Sequence, residues 1–513
     1  MSDQTQFAVI DLFAGPGGLG EGFSSFKDAS GRHPFKITLS IEKDPIAHKT
    51  LELRAFFRQF APDDVPEEYW QLLRGELTRE ALFKMEQFKS EVAAAEAEAQ
   101  CFTLDPKRHA ALKALLARHP LEPNTTIVIG GPPCQAYSLA GRSRNGAKEG
   151  WSLETDGRSS LYKEYLRVLA SIQPAAFVME NVRGLLSAKM HGKSVFELIR
   201  RDLQGPRAAM KFEEPRREYR LVALAPTSIS IGLDPNEIPP TDFLLRADEH
   251  GVPQARQRVI IVGLRTDLFP DPSKDPRLIR VQESERLKVS DRLERMPRLR
   301  AGISGVSDSG IAVLDAMRGA LEADWFQEVP PRIQRRMRSA VRKAAAMKLD
   351  RGGEFVPSTE AESRAEGFPN HLARGHMATD IHRYLFAASW AIEIGASPTL
   401  REFPVGLRPD HGNVGQALEG GHFADRFRVQ CWGGPSTTVV SHISKDGHYY
   451  IHPDPVQCRS LTVREAARLQ TFPDDYLFCG PRTAQFHQVG NAVPVTLARR
   501  IAGALHGVLN RRK

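Results

Sequence analysis

The chain has 513 residues, more than one hydrophobic core can serve, and 41% of them are hydrophobic, so two or more packed domains are expected. Lys and Arg outnumber Asp and Glu by 70 to 62, a net charge of +8 that leans toward a polyanionic partner. Five cysteines without a C-x-x-C pair exclude a zinc ribbon or a disulfide scaffold; with no signal-like start and no apolar run near the roughly 20 residues that cross a bilayer, a soluble, cytoplasmic protein is expected.

From the N-terminus, strand and helix patterns alternate. The apolar run Phe7 to Phe13 reads as a buried strand that ends in a glycine cluster. Phe35 to Ile41 reads as a second strand, and Pro45 to Phe57 as a helix with proline in its first turn. Residues 79–120, rich in Ala and Glu, read as a helical insertion. Thr126 to Ile129 is a third strand, Leu161 to Ile172 a helix, and Ala175 to Met179 a strand. Tyr219 to Leu224 and Arg258 to Gly263 are further strand-like runs. This order predicts an α/β fold, a largely parallel sheet with helices on both faces. Residues 265–457 lose the alternation. Within them, Arg332 to Lys348 holds seven basic residues and no acidic one on a predicted helix, which alone suits a solvated face. Leu461 to Leu509 returns to regular patterns and is expected to rejoin the first domain.

Gly15-Pro-Gly17-Gly-Leu-Gly20 follows the first strand and opens a helix, the setting in which glycines bring backbone N–H groups close to a nucleotide. Glu42 ends the second strand, where an acid accepts from ribose hydroxyls. No G-K-[ST] follows and Pro16 removes a donor, so the pattern favours an adenosine-type ligand over a phosphate clamp. Gly130-Gly-Pro-Pro-Cys134 sits at a strand end. A lone cysteine is more often a buried apolar residue, but two prolines stiffen this backbone and aim the sulfur, which favours a nucleophile. Glu180-Asn-Val182 places a carboxylate at the same sheet edge, although it could also cap the next helix. Arg256 and Arg258, spaced i, i+2, would face one side of a strand as a fork for an anion or a base edge; a surface cluster is the plainer alternative. A thiolate can add to an electron-poor ring while an acid hydrogen-bonds it.

These blocks, with Asp11-Leu-Phe-Ala-Gly-Pro-Gly-Gly18, Pro132-Pro-Cys-Gln135, Gln254-Ala-Arg-Gln-Arg258, Leu461 to Pro473 and Gln488-Val-Gly-Asn-Ala-Val-Pro494, resemble the DNA (cytosine-5)-methyltransferases of bacterial restriction-modification systems, in the family's order and over more than half of the chain. The resemblance implies a Rossmann-like S-adenosylmethionine-dependent sheet and a smaller, irregular target-recognition domain. The corresponding division is a catalytic and cofactor-binding domain at 1–263 with the 79–120 insertion, a target-recognition domain at 264–457 and a return segment at 458–513. It further implies that Cys134 attacks C6 of a flipped cytosine, that Glu180 engages N3 and the amine, and that Arg256 and Arg258 support the base and the Cys134 loop. Cofactor contacts are implied for Phe13, Gly15, Gly17, Glu42, Pro132, Leu161 and Asn491. Gly75-Glu76-Leu77-Thr78 resembles the family's G-D-I-x block with Glu for Asp, which implies Glu76 and Leu77 beside adenine. Lys43 stands where many members carry an aromatic residue.

Double-stranded DNA is the implied partner of a monomeric, nucleoid-associated enzyme, with a cognate restriction endonuclease beside it. Other readings remain open. Members that methylate tRNA carry a Cys-Phe-Thr tripeptide, present here as Cys101-Phe102-Thr103 but upstream of Cys134. A catalytically silent DNA-binding relative would keep the fold, and a nicotinamide oxidoreductase would explain the glycine turn alone. His371, His376, Asp380 and His382, or His442, His448 and His452, match no zinc-enzyme spacing, so no metal is expected.

Overall fold

An eight-stranded sheet grows outward from β1 (Phe7–Leu12) in a computed structural model that describes residues 6–133, 161–213, 217–225, 237–269, 281, 283–410, 414–419 and 424–510. The other strands are β2 (Phe35–Glu42), β3 (Ala99–Cys101), β4 (Thr126–Gly130), β5 (Ala176–Val182), β6 (Tyr219–Val222), β7 (Leu244–Arg246) and β8 (Gln257–Arg265). Their order is β3-β2-β1-β4-β5-β8-β6, with β7 also paired to β8. The first five run parallel, and β8 lies antiparallel to β5, β6 and β7. The order reverses between β1 and β4, so the carboxyl ends of these two strands open the crevice in which doubly wound sheets bind ligands.

Strand alternation divides the apolar residues between two faces. Val178, Ile260 and Val262 point one way; Phe177, Met179, Val259 and Ile261 point the other. One face is covered by α5 (His109–Leu116), α6 (Leu161–Ile172) and α7 (Val195–Gln204). The opposite face is covered by α1 (Gly18–Ser24) and by the last helix, α13 (Val495–Leu509). Val495, Ala498, Ile501, Ala502, Leu505 and Leu509 form the helical stripe that brings the C-terminal segment home, as its periodicity predicts. Helix α2 (Pro45–Phe57) begins as expected, with Pro45 at its start and the Asp44 carboxylate accepting from Ile46 N and Ala47 N. With α3 (Glu67–Arg74) and α4 (Lys89–Glu98), it packs a satellite core.

Two boundaries differ from the sequence reading. Residues 79–120 are not simply an insertion: they contain β3, the edge strand beside β2, whose three residues are too few for an alternation signal. Val281 donates to Leu224 O and packs in the sheet core, and Ser436–Thr437 pairs with Gln254–Ala255. The first domain therefore extends past 263, and the return begins before 458.

The second domain gathers three long helices among irregular segments. Helices α8 (Gly310–Glu322), α9 (Pro331–Met347) and α10 (Ala378–Ile394) share one core through Val313, Met317, Ile333, Met337, Ile381 and Phe386. An antiparallel ribbon of β9 (Gly352–Pro357) and β10 (Gly367–Leu372) adjoins it. The return carries α11 (Val463–Leu469) and α12 (Arg482–Asn491) before α13. Among the described residues, no helix is long and apolar enough to cross a membrane.

Candidate active site

At the end of β1 the backbone turns sharply upward through left-handed Phe13 (φ 56°), Gly15 (φ 58°) and Gly17 (φ 97°). A Cβ added at Gly15 would meet nothing within 4 Å among the described residues. At Gly17 it would lie 2.9 Å from Leu51 Cδ1 and from Tyr476 Oη, and only glycine fits. Glu42 stands beside this turn at the end of β2. Its carboxylate accepts from Gly15 N (2.8 Å) through Oε2 and from Asp44 N (2.8 Å) through Oε1. Each oxygen retains a lone pair for a ligand hydroxyl. This cradle of open backbone and a pinned acid fits an adenosine-type cofactor.

The floor of the cradle is partly built by the return segment. The Tyr476 hydroxyl donates to Pro16 O. Asn491 is exposed at the end of α12, and Val493 O fills the place where a Gly18 Cβ would stand. Arg54 on α2 donates to both oxygens of Glu21 on α1 and to Asp475 Oδ1 (3.0 Å), which closes the joint. Beneath the turn Asp11 is wholly buried; Oδ2 accepts from Gly20 N at 3.2 Å, and Oδ1 has no partner among the described residues. Burial pushes its pKa up to about 7.

The second half of the site lies at the ends of β4 and β5. Gly131, Pro132 and Pro133 leave β4 and lead directly to Cys134, which, with Gln135, lies outside the described residues. Pro132 is buried, and its carbonyl faces Asn181 Nδ2 at 3.5 Å. Glu180 lies on β5, two residues from Val182, which pairs with Arg258 on β8, so the two side chains are diagonal neighbours on one face. Arg258 Nε is 2.7 Å from Glu180 Oε1, with about a tenth of each side chain exposed. A Cβ at Gly131 would stand 2.9 Å from Glu180 Oε2, so the glycine keeps room for that oxygen. An oriented carboxylate, neutralised on one oxygen and with no hydrogen bond to the other among the described residues, can hold a polar ring edge beside a nucleophile at Cys134.

Two expectations differ from the structure. Arg256 and Arg258 do not form a fork. Arg256 sits between the short strand Gln254–Ala255 and β8, is 2% exposed, and donates to Val439 O (2.7 Å) and Ala492 O (2.9 Å), a clamp between the sheet and the return segment. Glu76 and Leu77 do not follow a strand of the sheet. Glu76 is exposed and pairs with Arg74 Nε at 2.9 Å, and Leu77 packs against the satellite core. The place beside Glu42 belongs to Cys101, its register partner, and to Phe102, whose N–H donates to Glu42 O. Cys101-Phe102-Thr103 is therefore part of the sheet and the turn that follows it. Leu161 begins α6, partly buried, beside the undescribed segment. Asp11 opens the glycine-turn block in the sequence, whereas Tyr476, a tyrosine among aromatic neighbours, carries no local signal for the turn it supports.

Of the histidines noted in the sequence, His376 and His448 both meet the Tyr384 hydroxyl, at 3.3 and 2.7 Å, and His371 and His452 lie on other partners. His371 Nδ1 meets Thr462 Oγ1, His376 lies between Tyr384 and Ser460, and His452 Nε2 faces Glu465 Oε1 at 3.6 Å.

A family model described as C-5 cytosine-specific DNA methylase matches residues 116–204 and 243–507. The chain is 33% identical over 520 residues to the type II methyltransferase M.Bpa9945I of Bacillus paralicheniformis, covering 98% of this chain and 99% of that protein. It is 29% identical over 403 residues to the DNA (cytosine-5-)-methyltransferase M.ApeKI of Aeropyrum pernix, 75% of this chain and 81% of the other. Among solved structures, a putative DNA modification methyltransferase encoded within an E. coli prophage superposes with a TM-score of 0.51 at 18% identity, covering 98% of this chain and 99% of that one, a likeness of fold.

Proposed function

The chain belongs to the C-5 cytosine-specific DNA methylase family, and from that premise we propose how its own residues divide the reaction. It is a DNA (cytosine-5)-methyltransferase, acting on a cytosine that must leave the base stack before C6 can be reached. The Cys134 thiolate adds to C6 as Glu180 holds N3 and the exocyclic amine, so the ring's electron density moves to C5 as an enamine and not as a free carbanion. Arg258 keeps the Glu180 carboxylate turned into the site. After C5 is methylated, loss of its proton and expulsion of the thiolate restore the ring as 5-methylcytosine. The observation that carries this reading is the Glu180–Arg258 pair, 2.7 Å apart beside the strand end that leads to Cys134.

The cofactor cradle fits S-adenosylmethionine, which when bound supplies the methyl group as an electrophile. Phe13, Gly15 and Gly17 would hold it along the first turn, Glu42 the ribose hydroxyls, and Pro132, Leu161 and Asn491 the remaining sides. The adenine edge is reassigned from Glu76 and Leu77 to the end of β3 at Cys101 and Phe102, because these residues adjoin Glu42. Type II methyltransferase is the name of several relatives, and a cognate endonuclease acting on the same site is the matching partner for a monomeric enzyme here.

The test is methyl transfer from labelled S-adenosylmethionine to unmethylated plasmid DNA, with bisulfite sequencing of the product and tRNA run in parallel. Label at C5 within one short motif, abolished in Cys134→Ala, is expected. Label on tRNA alone would move the substrate to RNA, and DNA binding without transfer would leave a silent relative.

A further inference from the structure

Helix α9 (Pro331–Met347) buries Ile333, Met337, Ala340 and Val341 against the second domain's core. That stripe fixes the helix rotation, so Arg332, Arg335, Arg338, Arg342 and Lys343 are exposed on the outer arc. Ordinary exposed helices interleave acids with bases at i, i+3 and i, i+4. Here Arg332/Arg335, Arg332/Arg336, Arg335/Arg338 and Arg338/Arg342 all set like charges at those spacings. Arg336 alone finds a carboxylate, Glu393 on α10, at 2.5 Å. The other five make no ion pair among the described residues.

The concentration of charge is local. Residues 331–348 carry 7 basic and no acidic side chains, whereas the rest of 301–457 carries 10 basic against 18 acidic. A face merely kept soluble would share in the surrounding mixture. Repulsion left uncompensated inside the protein is offset when an external polyanion lies along it.

The helix also lies within reach of the reaction. Arg336, Ser339 and Lys343 line one groove with Arg298 and Trp432. Four residues after Trp432, Ser436 pairs with Gln254, at most about 14 Å of chain away. Gln254 leads directly to Arg256 and Arg258. From Arg332 to Lys343 the cations span about 16 Å of helix, a length over which duplex DNA presents about ten phosphate charges.

We propose that the outer face of α9 is a phosphate track that holds the duplex flanking the methylated site, giving affinity without reading bases. This rests on the DNA reading above and adds a division of labour: sequence is read elsewhere in the second domain. Phosphate contacts of this kind release counterions, so they are measured as salt dependence.

The experiment replaces Arg332, Arg335, Arg342 and Lys343 together by Gln, a good helix former, and by Lys or Arg in a charge-keeping control. Binding to target and non-target duplexes is measured from low to high salt. In the Gln variant, the slope of log K against log salt is expected to flatten by up to about 3.6, at about 0.9 per contact, with both duplexes weakened equally. The methylated motif and affinity for S-adenosylmethionine stay as in the parent, and the charge-keeping control retains the parent slope. An unchanged slope, or a loss confined to the target duplex, overturns the proposal. So does a loss shared by the charge-keeping control. A parent chain that methylates no DNA would instead refute the functional reading itself, so the two failures are distinguishable.

Discussion

Tyr476 donates its hydroxyl to the carbonyl of Pro16, 460 residues earlier, and so ties the return segment to the turn that forms the cofactor cradle. The tyrosine is wholly buried, with Arg54 stacked over its ring and Arg464 donating to its carbonyl. Removing only the hydroxyl leaves packing intact and frees one carbonyl. Tyr476→Phe is therefore expected to weaken S-adenosylmethionine binding about fivefold, the equivalent of about 1 kcal/mol. Calorimetry with the cofactor, together with kcat at saturating cofactor, would check this. An unchanged Kd would show that the turn holds its shape without Tyr476.

Arg256 and Arg258 are two residues apart yet predict opposite phenotypes. Arg258→Ala should lower kcat by about a hundredfold or more, since Glu180 loses the partner that orients it, while the melting temperature changes little. Arg256→Ala leaves Val439 O without its side-chain donor and Ala492 O with only the longer bond from Gln470 Nε2 (3.3 Å), and should cost about 2 kcal/mol or more. Its signature is a melting point lower by several degrees, with residual activity at low temperature. Parallel thermal melts and rate assays separate the two; equal effects on both axes would refute the assignment.

Burial holds Asp11 neutral to about pH 7, whereas the unfolded chain ionises it near 3.8. The folded state therefore binds more protons than the unfolded state between these values, and its contribution to stability falls as pH rises through that window. Asp11→Asn keeps an acceptor for Gly20 N–H but has no charge to bury. It should melt above the parent at pH 8, by a few kcal/mol at most, and show no advantage at pH 4. A variant no more stable than the parent at pH 8 would mean that the carboxylate is satisfied when ionised.

His371 and His452 act in the opposite direction. Both are buried, and desolvation lowers each to about 4 from 6.5. As pH falls from 6.5 toward 4, the unfolded chain takes up their protons and the folded chain does not, so stability is lost across that window, at about 1.4 kcal/mol per pH unit for each. Urea unfolding between pH 7 and 5 should show this slope, and His452→Gln should flatten it by about one proton. Glu465, 3.6 Å from His452 and paired in both oxygens with Arg459, has its pKa pulled well below the usual carboxylate range and keeps its charge throughout.

Much of the site was legible locally. An apolar run closing on Gly15 and Gly17, a strand ending in Glu42, prolines before Cys134 and a strand carrying Glu180 are each settled by neighbours in sequence, because strand length, left-handed turns and helix starts depend on a few adjacent residues. The return of regular patterns after Leu461 likewise carried the expectation that this segment rejoins the first domain, and its last helix covers the sheet. Failures came where geometry is set at a distance. The three residues of β3 are recognisable as a strand only once paired to β2, which sets Cys101 beside Glu42. The same-side rule for Arg256 and Arg258 assumes an unbroken strand, and the break at Arg256 turns its guanidinium inward to two carbonyls of the return segment.

By itself, then, the sequence determined the family: the glycine turn, Glu42, the Pro132-Pro-Cys-Gln block and Glu180 follow one another in an order that resembles the cytosine-5 methyltransferases, and the family match bears that out. Tertiary structure alone decided which arginine faces Glu180 and which clamps the fold, that Tyr476 is bonded to the glycine turn at Pro16, and that Arg332, Arg335, Arg338, Arg342 and Lys343 of α9 stand outward with no ion pair among the described residues. The physical reason is the range of the forces involved. Backbone conformation and periodicity are written over a few residues, whereas burial, ion pairing and desolvation depend on which distant segments the packed core brings into contact.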